Sequence, residues 1–212
     1  MKYKVNFIGD SSIKLSGKGD SPLWKKAVVL KDFISAWDTE PIKKIEFKSL
    51  WNSANLFFCF KVYDAKVYID NTDNTINSIG NSDRVELFFR TDKRLNPYYC
   101  LEIDPTPRIM DFKAYPNKKF NFDWNWPKKD ISVKSYIDKD YFIVEGEISI
   151  ASLKKLNLLI GSKIEAGIFR AKYNKQEDDA SYRPTWISWV NPNTETPNFH
   201  TPTSFGELYL EG

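Results

Sequence analysis

Residues 45–62 read Ile45-Glu46-Phe47-Lys48-Ser49-Leu50-Trp51-Asn52-Ser53-Ala54-Asn55-Leu56-Phe57-Phe58-Cys59-Phe60-Lys61-Val62. Ile45 and Phe47 alternate with Lys44, Glu46 and Lys48. Beyond the turn-like Asn52-Ser53-Ala54-Asn55, the residues Leu56, Phe58, Phe60 and Val62 form a second apolar set. A period of two is the signature of a strand with one face in a core, because successive Cβ atoms point to opposite sides. The stretch therefore predicts a β-hairpin.

The same alternation recurs on either side. Val85, Leu87 and Phe89 alternate with Arg84, Glu86, Phe88 and Arg90, and Tyr99, Leu101 and Ile103 with Tyr98, Cys100 and Glu102. Phe142, Val144, Ile148 and Ile150 alternate with Tyr141, Ile143, Glu145 and Glu147, and residues 163–172, 185–190 and 206–210 add three candidate strands. The only helix-like piece is Ile150 to Leu156. Strands separated by turns, without regular helices between them, predict an all-β fold: an antiparallel two-sheet β-sandwich of jelly-roll or immunoglobulin-like kind, with short helical pieces only. No repeat, charge block or linker divides the chain, so residues 1–212 are expected to form one domain. Residues 64–82 and 111–130 read as long irregular loops, and loops of that length in a compact domain are commonly functional.

Composition narrows the function classes. Hydrophobic residues are 42% of the 212, enough for a sizeable core, and aromatics are 16%, which suits both strands and ligand stacking. The net charge of +3 is spread among nearly equal numbers of basic and acidic residues, whereas nucleic-acid binding calls for a clustered basic face. Two cysteines, Cys59 and Cys100, make neither a disulfide framework nor a four-ligand zinc site, though they are able to pair if their strands are neighbours. The opening MKYKVNFIGD lacks an apolar run of signal-peptide length, and no run of about 18 apolar residues reads as a membrane span. As written the chain reads as soluble and unexported; had a leader been trimmed, an extracellular or periplasmic location would follow.

Several segments, in order, resemble the family 9 carbohydrate-binding modules. Gly19-Asp20-Ser21-Pro22-Leu23-Trp24-Lys25-Lys26-Ala27 is similar to the family's turn, Trp and Ala leading into a strand. Leu50-Trp51-Asn52 with Asn55-Leu56-Phe57-Phe58 resembles its "lWd…nLYv" hairpin, and Val62-Tyr63-Asp64 its "v.D" strand end. Asp83-Arg84-Val85-Glu86-Leu87-Phe88-Phe89 resembles "DsVEiF", the most specific element. Ile187-Ser188-Trp189-Val190-Asn191-Pro192 and Phe199-His200-Thr201-Pro202-Thr203-Ser204-Phe205-Gly206-Glu207-Leu208 resemble "iSW.dP…FH.P..FG.l". The resemblance implies a two-sheet sandwich that holds a sugar-chain end between aromatic rings, with charged and amide groups on the hydroxyls. It places Glu86 at a sugar-binding Glu and Phe199 at a stacking Trp. Two positions depart from the pattern: the other clamp Trp falls at Gly80, and a sugar-binding Arg falls at or next to Cys100.

The expected ligand site is a sheet face carrying Arg84, Glu86 and Arg170, bordered by Phe199, His200 and the Trp124 and Trp126 loop. Arg84 and Glu86 project opposite the apolar set of their strand, and Arg170 interrupts an apolar strand, where it is placed to pair with Glu86 or fork onto a sugar diol. Trp124 and Trp126 lie in a loop beside Asp123 and Asn125, where either an exposed pair would make a stacking surface or one ring would close the end of the sandwich. Trp24 and Trp51, at strand entrances, read as core. His200 is the sole histidine, and neither a G-x-S-x-G elbow nor a second His for a metal site is present, so the chain is expected not to be an enzyme. A glycosidase needs only two suitably spaced carboxylates, which sequence spacing does not exclude. The expected partners are carbohydrate and glycoside hydrolases; no cofactor is expected beyond a structural calcium held by loop carboxylates and carbonyls. Two alternatives remain at this stage. Related sandwiches bind haem b through Met and His, here Met110 and His200 without a C-x-x-C-H attachment motif. The other is a hydrolase accessory domain that has lost sugar binding.

Overall fold

The computed structural model describes residues 1–39, 41–179 and 181–212. Thirteen strands run through them: β1 (Lys2–Phe7), β2 (Ile45–Trp51), β3 (Asn55–Val62), β4 (Arg84–Arg90), β5 (Tyr98–Ile103), β6 (Ile109–Tyr115), β7 (Lys119–Asn121), β8 (Ile131–Ile137), β9 (Phe142–Ser149), β10 (Leu159–Ile160), β11 (Lys163–Lys175), β12 (Tyr182–Ser188) and β13 (Gly206–Glu211). The α-helices are two short pieces, α1 (Ile76–Gly80) and α2 (Ile150–Lys155). The predicted hairpin forms as β2 and β3, antiparallel with Ile45 opposite Val62 and Trp51 opposite Leu56.

The strands follow one hydrogen-bonded path, β7-β6-β5-β4-β11-β13-β1-β2-β3-β9-β8, with β10 and β12 also pairing with β11. The path curls back on itself. Val85, Leu87 and Phe89 of β4, Tyr99 and Leu101 of β5, and Ile164 and Ile168 of β11 meet Phe47 of β2, Phe58 and Phe60 of β3 and Val144 of β9 in one core. Burying a side chain of this size contributes roughly 1.5–3 kcal/mol relative to exposing it, so this shared core is what holds the two arms together.

The expected purely antiparallel pair of sheets is corrected here. β1 is parallel to both of its neighbours, β13 and β2, and it joins the two arms into one mixed sheet. Alternation reports which face of a strand is apolar and carries nothing about the direction of its partner, so this seam was not readable. β1 shows the same alternation over a short span, with Tyr3 and Val5 buried and Lys2 and Lys4 exposed. The stretch 111–130 is only partly irregular: β6 extends through Tyr115 and β7 pairs with it. Cys59 and Cys100 are both buried and unpaired, on β3 and β5 in separate apolar clusters.

Candidate functional site

The site begins with the alternation of β4. Its odd residues Val85, Leu87 and Phe89 enter the core, so Arg84, Glu86 and Phe88 project from the opposite face. On that face β5 contributes Tyr98, Cys100 and Glu102, and β11 contributes Phe169. Glu86 is directly paired with Glu102 on one side and with Phe169 on the other. A second apolar cluster, including Phe88, Tyr98, Cys100, Phe112, Phe169, Phe199 and Phe205, covers the face. The C-terminal segment folds over it, which is why Glu86 is only 2% exposed.

The cover leaves a pocket of about 240 Å³, smaller than the ~300–1,000 Å³ of sites for drug-sized ligands. Arg84, Glu86 and Glu102 lie at its floor, and Phe120, Trp186, Phe199 and His200 line it, with Lys118 and Asn198. Phe199 stacks on Phe169 with centroids 4.2 Å apart and 14° between planes, and Trp186 meets it edge-on at 5.6 Å. Gly167 permits that stack, since a Cβ there would lie 2.3 Å from Phe169 Cζ.

The floor holds two carboxyl groups and one guanidinium. Arg84 Nε donates to Glu102 Oε2 at 2.6 Å, and Arg84 Nη1 donates to the Gly80 carbonyl at 2.7 Å. Glu86 Oε1 lies 3.0 Å from the same Arg84 Nε, but that nitrogen has a single hydrogen and it is used on Glu102. Among the described residues, Glu86 Oε1 is thus buried with no hydrogen-bond partner. A buried unsatisfied acceptor costs about 1–3 kcal/mol, more if charged, so a carboxyl of this kind lining a pocket is a place for a ligand donor. Burial pushes Glu86 up to about 8, with the charge of Glu102 adding to the rise, and burial raises Glu102 as well.

His200 hydrogen-bonds through Nδ1 to the Tyr98 hydroxyl at 3.0 Å, stacks on Phe88 at 5.1 Å and contacts Phe120 at 4.9 Å. Burial lowers it to about 3, with Lys118 and Arg84 adding, so the ring is neutral at physiological pH and offers one donor and one acceptor. Met110, the other residue of the haem alternative, packs in the apolar cluster beneath α1.

Arg84, Glu86, Phe199 and His200 are therefore brought together as expected from sequence. Arg170 is not. It pairs with Val85 across the ladder and so lies on the opposite face from Glu86. There it binds Asp64 at 2.5 Å and approaches Asp83 at 3.8 Å, while Lys172 bridges the same two carboxylates at 3.1 and 3.0 Å. Burial opposes ionisation of Asp64, but Arg170 and the Lys66 amide hold its carboxyl well below the usual range; Asp83 is raised by burial. This network borders a larger groove, about 760 Å³, in which Arg170, Lys172 and Lys43 are already paired with acids of the protein.

Trp124 and Trp126 also lie elsewhere. Trp126 is 3% exposed, packs on Phe89 and Tyr99 and donates its indole N–H to Ser152 Oγ at 3.1 Å; Trp124 covers Tyr99. Both close the core on the far side of β5, because Tyr99 points away from Glu102.

Glu102, Trp186 and Phe120 are pocket residues that sequence reasoning did not single out. Glu102 shared the signal that marked Glu86, a carboxylate on the non-core parity of an alternating strand. Its position beside Glu86 depends on the β4–β5 register. Among the described residues, no group of three or more His, Cys, Asp and Glu side chains is placed to hold a metal ion, and no helix is long and apolar enough to cross a membrane.

The sequence pattern of the family described as "Carbohydrate family 9 binding domain-like" matches residues 15–212. A search of curated proteins finds no match. Among solved structures, a candidate carbohydrate-binding protein from Bacteroides uniformis is similar, with TM-score 0.73 and 16% identity over 99% of both chains. A family 9 carbohydrate-binding module from Caldicellulosiruptor kristjanssonii in complex with glucose has TM-score 0.66 and 16% identity, covering 100% of this chain and 96% of that one. The cellotriose complex of a family 9 module from the same organism gives 0.65 and 17%, covering 100% and 94%. At such identities the likeness is one of fold.

Proposed function

The chain belongs to the carbohydrate family 9 binding domain-like family, and from that premise we propose that it binds a sugar or the end of an oligosaccharide, without changing it, in the pocket over Glu86. The observation that carries this reading is the buried Glu86 carboxyl, incompletely hydrogen-bonded among the described residues and lining a small pocket walled by aromatic rings. A pyranose presents C–H faces to aromatic surface and a rim of hydroxyls to charged acceptors and donors. Phe120, 38% exposed, and the half-buried Trp186 supply the first; Glu86, Asn198 and neutral His200 supply the second. The glucose and cellotriose held by structurally similar modules are ligands of the kind this pocket suits.

The grip is one-sided. Gly80 stands where the family resemblance puts a second clamping ring, and its carbonyl instead receives Arg84 Nη1 and the Tyr173 hydroxyl. A Cβ at Gly80 would meet only Met110 Cε, at 4.0 Å. A binder without chemistry of its own acts by raising the local concentration of a tethered catalytic partner on polysaccharide, and glycoside hydrolases are the partner class this reading implies.

A glycan array with the purified chain, followed by calorimetry on the best ligand, tests the reading. Trp186→Ala is expected to weaken binding by about 1–3 kcal/mol, roughly 5- to 150-fold in Kd. Unchanged affinity in the folded variant, or no glycan bound by wild type, overturns it. Incubation with oligosaccharides is expected to release no product; steady turnover lost in Glu86→Gln would make the carboxyl pair catalytic instead.

A further inference from the structure

We propose that the pocket over Glu86 selects an amino sugar, with the protonated amine docked on the Glu86 carboxyl group. The inference rests on the sugar-binding reading and adds the chemical class of the ligand.

Three observations converge. The first is charge: the floor holds two carboxyl groups, 2% and 4% exposed, and a single cation, Arg84. The second is geometry: the only Nε hydrogen of Arg84 is used on Glu102, and Nη1 is used on the Gly80 carbonyl. Glu86 Oε1 is left without a hydrogen-bond donor among the described residues, in a side chain that lines the pocket. Two buried carboxyl groups that share one guanidinium are short of positive charge, and a charge-assisted N–H from a ligand ammonium relieves that more fully than a neutral hydroxyl. The third is the wall, where the exposed Phe120 ring favours a cation as well as a pyranose ring, beside Trp186, whose ring already carries the Arg84 guanidinium at 5.5 Å.

The other charged groups around Glu86 do not replace the ligand. Glu102, on β5, adds negative charge, Lys118 is an exposed rim residue, and His200 is neutral and tied to Tyr98. Burial keeps a proton on the empty carboxyl pair near neutral pH. An incoming ammonium ionises Glu86, and that proton passes to the buffer. A neutral sugar releases none.

The test compares each 2-amino sugar with its parent and its N-acetyl form, using the gluco, galacto and manno series, by titration calorimetry at pH 6.5 in two buffers of different ionisation enthalpy. The expected result is that, in at least one series, the amino sugar binds about tenfold or more tighter than parent and N-acetyl sugar. Its heat alone depends on the buffer, and Glu86→Gln brings the ratio of dissociation constants near one. The comparison with the N-acetyl sugar, which keeps the nitrogen and loses its charge, needs no variant and stands if Glu86→Gln does not fold. Parent sugars bound as tightly as amino sugars in every series overturn the amine selectivity and leave the sugar reading standing. No saturable binding in any of the three series overturns both.

Discussion

Replacing Arg84 with Met tests the electrostatics of the site directly, because Met keeps an unbranched apolar stem and removes only the guanidinium. In the folded protein this strips the nearest cation from Glu86 and Glu102 and frees the Gly80 carbonyl. Removing one partner of a buried ion pair costs about 3–5 kcal/mol. At roughly 2–4 °C per kcal/mol for a chain of this size, the melting temperature should fall by about 6–20 °C at pH 8. The sign of the pH dependence follows from linkage. A carboxyl whose folded pKa lies above its unfolded value contributes stability that is fully present below the unfolded pKa and is lost as pH rises through the folded one. Glu86 and Glu102 are both raised by burial, and loss of Arg84 raises them further. At pH 5 both are protonated in the variant and little uncompensated charge remains, so the gap to wild type narrows. Thermal unfolding of both proteins at pH 5 and pH 8, followed by circular dichroism, measures this. A variant that melts within about 2 °C of wild type at pH 8, or a gap that widens at pH 5, refutes the reasoning.

Arg170→Met should destabilise by an amount near the lower end of the roughly 3–5 kcal/mol range, since Lys172 stays beside Asp64 and Asp83. Measured below its melting temperature, it should leave the affinity for any bound sugar unchanged, and a parallel loss of affinity would contradict the placement of Arg170 on the far face. Gly167→Ala places a Cβ against the Phe169 ring, so overpacking of about 1–3 kcal/mol in denaturant titration is expected, together with weaker sugar binding as Phe199 is displaced. Burial pushes the Cys59 thiol up to about 12 and Cys100 well above its ordinary value. A thiol reagent at pH 8 should therefore modify neither in the native protein and both in denaturant; prompt native labelling of one would show that its cluster opens.

The sequence by itself determined the hairpin of β2 and β3, the parity of β4 that turns Glu86 away from the core, and the family pattern that singled out Phe199. These features are local, encoded in a period of two and in short ordered motifs. Tertiary structure decided what those parities meet. Nothing in residues 84–103 states that Glu86 stands directly beside Glu102, because register is set by pairing between strands. Arg170 could not be assigned a face from its neighbours: β11 is apolar on both sides, Ile168 in the core and Phe169 in the outer cluster, and a strand covered on both faces loses its alternation. Trp124 and Trp126 were equally ambiguous, since a Trp in a loop packs wherever the nearest open core edge lies, here Tyr99 rather than the pocket. The parallel seam at β1 has the same origin: it joins the first strand to the last across the whole chain, and only the curl of the folded sheet brings those two edges together.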